Sequence, residues 1–341
     1  MGNSFSFLYS KISIPPYEET YQHQIKHAIK HNTPLDDVLP VILVLSSPCQ
    51  FKRRYTLMKE FIHRLLSDDS STVQLYIVEM CYGDDQRFHI TDSNNPHHLQ
   101  LRTPVPLWHK ENMINLGVHH LLPKDWKCFA WIDADIEFDS PSWSFDTLKL
   151  LNGSFDIVQL FSQAIDMDKH QNALRIVSSF GFQVEKNRPF CSNGSSPNYF
   201  HPGYAYAITR EAYEKMGGLY EYGIVGSGDS ILAFSVLGKV RSCIKDEIHT
   251  TKQYQQSLFD FQKKVKGMRL GYVPTLIRHH FHGSKKNRRY TDRWKILVHH
   301  RYDPFLHLEK DDRGILIPSL QCPPEMIQQI KDYFYQRNDD E

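Results

Sequence analysis

Three acidic side chains interrupt an apolar stretch at residues 131–138, which read WIDADIEF. Because side chains alternate between the two faces of a strand, Asp133, Asp135 and Glu137 would share one face and the apolar residues the other. Closely spaced carboxylates at the end of a buried strand could ligate a hard divalent cation. The spacing alone does not separate such a site from the solvated face of a half-exposed strand.

Two further polar clusters lie where helices or strands are predicted to begin or end. Asp229 follows a glycine-bearing loop and begins an apolar helix, so it could remove a proton from a hydroxyl group or simply cap the helix. Residues 279–282 (HHFH) follow the last predicted strand and precede the basic run 285–289. Imidazole together with carboxylate favours Mn²⁺ or a similar ion over Mg²⁺ and Ca²⁺.

A second Asp-x-Asp, at Asp166 and Asp168, has no predicted strand before it and precedes a polar stretch. We therefore interpret it as a chance occurrence.

Strands and helices alternate over the first 140 residues, which is the pattern of a doubly wound α/β sheet. Ligands of such sheets bind outside the carboxyl ends of the strands, where residues 133–135 would emerge. The apolar periodicity predicts strands at 41–46, 73–79, 99–102, 131–138, 155–161 and 271–277 and helices at 17–31, 51–66, 110–121, 248–266 and 323–341, with a strand and a helix together over 202–218.

Composition limits the function classes. The 341 residues are 40% hydrophobic, which suffices for one large α/β domain. Lys and Arg (40) nearly balance Asp and Glu (39), which disfavours a general nucleic-acid surface. The six cysteines are scattered singly, and we find neither a long apolar span nor a signal-peptide core, so we expect a cytoplasmic, non-secreted protein. The N-terminal MGNSFS fits myristoylation of Gly2, which would add weak membrane association; an unmodified end is the alternative.

Four stretches, in order along the chain, resemble glycosyltransferases of the GT-A fold, and in particular the β-1,4-galactosyltransferase branch. They are WHKENMINLG (108–117), KDWKCFAWIDADIEF (124–138), GYAYAITREAYEKMGGLYEYGIVGSGDSILAFSVLG (203–238) and TLIRHHFHGSKKN (275–287). The resemblance implies one GT-A domain over residues 41–302, with an N-terminal extension over 1–40. Residues 303–341 would be a C-terminal extension with a helix and an acidic tail.

The resemblance also implies an activity. The enzyme would use Mn²⁺ (or Mg²⁺) to move a hexosyl or pentosyl group from a nucleotide sugar, expected to be a UDP-sugar, to a hydroxyl of a glycan, glycoprotein or glycolipid. Asp229 would be the base of an inverting displacement. The metal ligands would be Asp133 and Asp135, of which Asp135 is preferred as the direct ligand, and either His279 or His282, with His282 preferred. Where the branch has Glu-Asp, this chain has Gly228-Asp229.

Substrate contacts follow from the predicted strand ends and from the same resemblance. The candidates for the donor are Ser46, Ser47, Arg53, Glu79, Lys110, Asn115, Asp133, Lys285 and Arg288. The candidates for the acceptor are Gly203, Tyr204 and Gly228.

Two other classes of protein remain open. The first is a nucleotidyltransferase or another metal-dependent phosphoryl-transfer enzyme. Against it, the loop SSPCQFKRR (46–54) is a poor glycine-rich phosphate loop, and Glu137 stands where a haloacid-dehalogenase-like site needs Thr. The second is a non-catalytic sugar- or nucleotide-binding protein, which the presence of Asp229 beside the Asp133/Asp135 pair disfavours.

Overall fold

The computed structural model describes residues 16–31, 36–68, 72–188, 200–290 and 292–341. Gly2, the predicted lipidation site, lies outside these ranges. Within them, no helix combines the length and apolarity needed to cross a bilayer.

The strands are β1 Leu39–Ser46, β2 Val73–Tyr82, β3 His98–Thr103, β4 Cys128–Ile132, β5 Ile136–Phe138, β6 Ile157–Gln159, β7 Gln163–Met167, β8 Ala173–Ser179, β9 Phe200–His201, β10 Ala205–Thr209, β11 Leu270–Tyr272, β12 Leu276–His279, β13 Leu308–Lys310 and β14 Leu316–Pro318. The α-helices are α1 Pro16–His31, α2 Lys52–Asp68, α3 Lys110–Leu121, α4 Trp143–Leu150, α5 Phe180–Glu185, α6 Arg210–Met216, α7 Gly228–Val236, α8 Lys252–Val265, α9 Lys295–His299, α10 Pro304–His307 and α11 Pro324–Gln336.

The central sheet is mixed and, in the described residues, has the strand order β11-β6-β10-β4-β1-β2-β3. Strands β1 to β4 run parallel in the order 3-2-1-4, and β10 runs antiparallel between β4 and β6. The order reverses between β1 and β4, and such a switch point opens a crevice at the carboxyl ends of the two strands. The predicted α/β architecture, a mixed central sheet flanked by helices, is confirmed.

Helices cover both faces of the sheet. Ile42 of β1 and Val78 of β2 belong to the core on the α3 side, whereas Val41 and Leu43 pack with α2 on the other side. Gly117 lets α3 approach closely, because a Cβ there would lie 3.0 Å from the Cγ2 atom of Val78. Burial on both faces accounts for the nearly continuous apolar runs of these strands.

A second sheet, β5-β12-β7-β8-β9, was not predicted as a unit. The continuous strand over 131–138 is wrong: β4 ends at Ile132, and β5 begins at Ile136 in the second sheet. The continuous strand over 271–277 is also wrong, since β11 and β12 belong to different sheets. Pro274 lies between them and lacks the N–H that a ladder needs.

The segment after residue 302 is packed into the molecule. Helix α11 buries Met326, Ile330 and Tyr333 against Leu107 and Ile224. The chain beyond this helix then returns toward the start of α2, where Asp340 accepts hydrogen bonds from the backbone N–H groups of Lys52 and Arg53 at 3.0 and 2.7 Å. The last residues of the chain therefore reach the carboxyl edge of the central sheet.

Candidate active site

A cavity of about 860 Å³ opens at the carboxyl ends of β1 and β4. The loop after β1, the break between β4 and β5, the start of α7, the end of β12 and the C-terminal residues all contribute to it. The predicted site residues that line this cavity are Ser46, Ser47, Lys110, Asp133, Asp135, Gly203, Tyr204, Gly228, Asp229, His279, His282, Lys285 and Arg288.

Asp135, His279 and His282 form a cluster whose possible ligand atoms all lie within 4.8 Å of one another. The Oδ2 atom of Asp135 is 2.6 Å from Nε2 of His282 and 3.9 Å from Nε2 of His279. A backbone hydrogen bond from His280 to the Asp135 carbonyl, 2.8 Å long, joins the two segments that carry the cluster. The break in the predicted strand thus brings Asp135 to the histidines.

The electrostatic state of the cluster suits a cation. Burial, with the Arg288 guanidinium, lowers the pKa of His282 to about 3, so its imidazole is neutral near pH 7. Burial alone would raise the pKa of Asp135, but His282, His279 and Arg288 keep it well below its usual value. The buried Oδ1 atom of Asp135 has no hydrogen-bond partner among the described residues. An ionised carboxylate with an unused oxygen beside a neutral imidazole is a donor set for a divalent ion.

Asp133, predicted as a metal ligand, is not one of these three clustered residues and pairs with Lys110. The Lys110 Nζ atom lies 2.6 Å from Oδ1 of Asp133 and 3.5 Å from Oδ1 of Asp229, so one lysine bridges two carboxylates. Burial, opposed by Lys110 and aided by Asp229 and Asp135, raises the pKa of Asp133 to about 6. The Asp229 carboxylate lies close to Gly203, where an added Cβ would be 2.8 Å from the Asp229 Oδ2 atom.

Glu111 is a cavity residue that the sequence analysis did not single out. Its side chain fills the volume that a side chain at position 228 would need: a Cβ on Gly228 would overlap the Glu111 carboxylate and lie 2.9 Å from its Cγ. Burial raises the pKa of Glu111 to about 8, with Asp229 and Asp133 adding to the shift and Lys110 opposing it. Glu111 therefore occupies this position only because residue 228 has no side chain.

The opposite side of the cavity is rich in arginine. The side chains of Arg293 and Arg337 lie over the Trp108 ring, 5.4 and 5.1 Å from its centroid. The buried Nε atoms of Arg288, Arg293 and Arg337 have no hydrogen-bond partner within the described part of the chain. Buried guanidinium groups with unused donors fit an anionic ligand such as a phosphate.

One carboxylate balances part of this charge. The Oδ2 atom of Asp339 lies 2.5 Å from Nε of Arg54 and 3.5 Å from a guanidinium nitrogen of Arg337. Arg293, Arg337 and Asp339 were not predicted as site residues, because no periodic pattern connects the end of the chain to the first βα turn.

Three predicted donor contacts do not line the cavity. The Glu79 carboxylate is buried and accepts hydrogen bonds from the backbone N–H groups of residues 89–91, so it holds a loop. Asn115 bonds both backbone groups of Leu219 and is structural as well. Arg53 donates from Nε to the carbonyl of Phe281 at 3.1 Å. The side-chain oxygens of Glu79 and the side-chain amide of Asn115, which a substrate would need, are thus engaged by the protein.

His280 is not part of the cluster, and the second Asp-x-Asp differs from its interpretation as a chance occurrence. His280 lies 3.2 Å from Glu137 and 3.2 Å from Gln171, outside the three-residue cluster. Asp166 is not a chance acidic residue of a polar stretch: it lies in β7, is buried, and contacts His279. Asp168 lies beyond the strand and binds the backbone of the following turn. Strand β7 was not predicted because it is only five residues long, QAIDM, and its residues do not alternate strictly between apolar and polar.

No protein-family model matches this chain, and no characterised protein matches it by sequence. Among solved structures, the catalytic domain of Drosophila β1,4-galactosyltransferase 7 with xylobiose is similar at 10% identity and a TM-score of 0.38, covering 86% of this chain and 99% of that chain. A mutant of that enzyme with manganese, UDP-Gal and xylobiose is similar at 10% identity and a TM-score of 0.39, again covering 86% of this chain and 99% of that chain. A candidate nucleotide-diphospho-sugar transferase from Desulfovibrio desulfuricans G20 is similar at 10% identity and a TM-score of 0.30, covering 77% of this chain and 97% of that chain. Similarity at these scores says nothing about which ligands this chain binds.

Proposed function

We propose that this protein is a GT-A-like, metal-dependent glycosyltransferase that moves a sugar from a nucleotide sugar to an acceptor hydroxyl with inversion. The observation that carries the proposal is one cavity that holds the Asp135/His279/His282 cluster, the Asp229 carboxylate and the buried arginines together. A nucleotide-sugar donor carries a diphosphate and a sugar. Transfer of the sugar needs a cation to stabilise the departing diphosphate and a base near the sugar to deprotonate the acceptor. The cavity offers both.

Asp135, His279 and His282 are the residues proposed to hold the metal. The two imidazoles favour Mn²⁺ over Mg²⁺, which prefers oxygen ligands alone. The unpartnered Oδ1 atom of Asp135 supports this assignment, because a buried carboxylate oxygen without a donor is rare in a folded protein. When bound, such an ion supplies Lewis-acid stabilisation of the departing diphosphate.

The donor is proposed to lie with its diphosphate between the metal cluster and the arginines. Arg288 is one of these arginines, and its Nη2 atom lies 2.6 Å from Nε2 of His282, a residue of the metal cluster. Ser46 and Ser47 line the cavity at the end of β1, where the nucleoside would reach the switch point of the sheet. We propose uridine as the nucleoside because the sequence motifs resemble those of transferases that use UDP-sugars.

Asp229 is proposed as the general base. The acceptor oxygen would attack the anomeric carbon, the bond from this carbon to the diphosphate oxygen would break, and the Asp229 carboxylate would take the hydroxyl proton. Lys110 holds Asp229 and Asp133 in place by its two ion pairs. Attack from the face opposite the leaving group inverts the anomeric centre.

A nucleotide-sugar screen tests this function. Wild type and Asp229→Asn are incubated with a panel of nucleotide sugars, with and without Mn²⁺, and released nucleoside diphosphate is measured with water and with simple glycosides as acceptors. We expect Mn²⁺-dependent release from one donor, transfer lower by about 10²- to 10⁴-fold in Asp229→Asn, and unchanged donor affinity. Absence of both turnover and Mn²⁺-dependent nucleotide binding would overturn the proposal. Pyrophosphate release from a nucleoside triphosphate would favour the phosphoryl-transfer alternative.

Myristoylation of Gly2 and a cytoplasmic location stay predictions. Intact mass of protein made in cells that can myristoylate tests the first of them.

A further inference from the structure

Asp166 is a buried carboxylate in contact with the proposed metal cluster. The parallel pairing of β7 with β12 places it directly beside His279 in the second sheet. Its Oδ1 atom lies 2.9 Å from Nδ1 of His279 and accepts a 3.0 Å hydrogen bond from the Tyr204 hydroxyl. Its Oδ2 atom pairs with Nε of Arg175 at 2.7 Å and with the ammonium of Lys285. Both oxygens are thus engaged by the protein.

The contact with His279 determines which ring nitrogen is available to a metal. Ionised carboxylates only accept hydrogen bonds, so Nδ1 of His279 must carry the hydrogen that Asp166 accepts. The other nitrogen, Nε2, then has its lone pair free and lies 3.9 Å from Oδ2 of Asp135, on the side of the cluster.

We propose that Asp166 is a positioning residue that holds His279 in the Nδ1-protonated form, with Nε2 directed at the metal. This inference rests on the proposed function only in naming the ion; the tautomer itself is a property of the protein alone. A histidine ligand whose second nitrogen bonds a carboxylate is a more basic ligand with a fixed ring orientation.

Asp166 also connects His279 with cavity residues on other elements. Tyr204 precedes β10, and Lys285 lies in the basic loop after β12. One carboxylate therefore joins the metal cluster to the loop that is expected to meet the donor diphosphate.

Asp168 is the matched control because it belongs to the same three-residue motif. Its carboxylate accepts hydrogen bonds from the backbone N–H groups of His170 and Asn172, both at 2.8 Å, and it is partly exposed. Asp168→Asn therefore changes the same charge on the same segment without touching His279.

Two measurements on the full chain test the proposal. Mn²⁺ affinity, from the electron paramagnetic resonance signal of free Mn²⁺, is expected to weaken about 10- to 100-fold in Asp166→Asn and less than about twofold in Asp168→Asn. Equal affinity in wild type and in folded Asp166→Asn would overturn the role of Asp166 and leave the proposed function standing. Failure of wild type itself to bind Mn²⁺, with or without UDP, would instead count against the proposed function.

The second readout needs no metal, and its decisive observation is made on the wild-type protein. Two-bond ¹H–¹⁵N correlation spectra of wild type, with His279 assigned by its loss in His279→Gln, report which ring nitrogen is protonated. We expect Nδ1–H for His279 in wild type and a mixture of tautomers in Asp166→Asn. Protonation of His279 at Nε2 in wild type would overturn the proposal.

Discussion

Gly228→Ala is the perturbation that tests the packing of the proposed acceptor side most sharply. Gly228 is the first residue of α7 and does not have a positive φ, so its backbone accepts an alanine. The obstacle is the side chain of Glu111, since the new methyl group would overlap its carboxylate and lie 2.9 Å from its Cγ. Glu111 is only 6% exposed, so the alanine methyl group would displace a buried side chain.

The expected magnitude follows from two opposed effects. Alanine in place of a helical glycine would by itself stabilise the protein by up to about 1 kcal/mol. Forcing a buried side chain out of its place costs about 1–3 kcal/mol. We therefore expect Gly228→Ala to lower the free energy of unfolding when Glu111 is present, and to leave it unchanged or raise it when residue 111 is alanine.

A double-mutant cycle separates these effects. Urea unfolding of wild type, Glu111→Ala, Gly228→Ala and the double variant should give a coupling free energy of about 1–3 kcal/mol. The double variant should be more stable than the sum of the two single changes predicts. Additive changes would refute the packing of Glu111 against Gly228, and with it the idea that the missing side chain and the glutamate belong together.

Three further predictions concern pH and buried polar groups. The pKa of Glu111 is raised to about 8 from an ordinary 4.5, so the free energy of unfolding of wild type should fall as pH rises between these values, by up to about 1.4 kcal/mol per pH unit. Urea unfolding of Glu111→Gln over the same pH range should show a shallower fall. Parallel curves for the two proteins would contradict this. Asp339→Asn leaves Arg54 and Arg337 unpaired and should cost about 3–5 kcal/mol at pH 7. Because Arg54 and Arg337 overcome the effect of burial and lower the pKa of Asp339, this difference should shrink as pH falls below the ordinary 3.8; a difference independent of pH would contradict it. Asn115→Ala should lower stability by about 1–3 kcal/mol without raising KM for the donor, and the opposite result would restore its predicted donor contact.

The part of the fold that was predictable from sequence is the part held by local periodicity. Helix α3 was expected at residues 110–121 and is found there, and β1 and β2 differ from their predicted ranges only at their ends. The second sheet was not predictable in this way, because β5 and β12 are short and pair across more than a hundred residues. Pro274 was visible as a break, but the sequence does not say that the chain changes sheets there.

The candidate site divides in the same way. Asp135, Asp229 and the 279–282 histidines were predicted from residue type and motif order, which short-range sequence preserves. Glu111 and Asp166 were not, because each acts through a contact that only the folded chain creates: Glu111 through the empty position at Gly228, and Asp166 through strand pairing with His279. Asn115 shows the converse case: it lies in the motif that predicts a donor contact, and in the structure its side chain bonds the backbone of Leu219.

The most direct test of the central claim is a Mn²⁺ titration of wild type and Asp135→Ala, in the presence of UDP. Glu137→Ala is the matched control, because Glu137 lies two residues away and pairs with Arg278 and His280 outside the cluster. We predict that wild type and Glu137→Ala each bind one Mn²⁺, and that Asp135→Ala loses more affinity than the roughly 10- to 100-fold that follows removal of a supporting residue. Equal Mn²⁺ binding in all three proteins, or none in wild type, would contradict it.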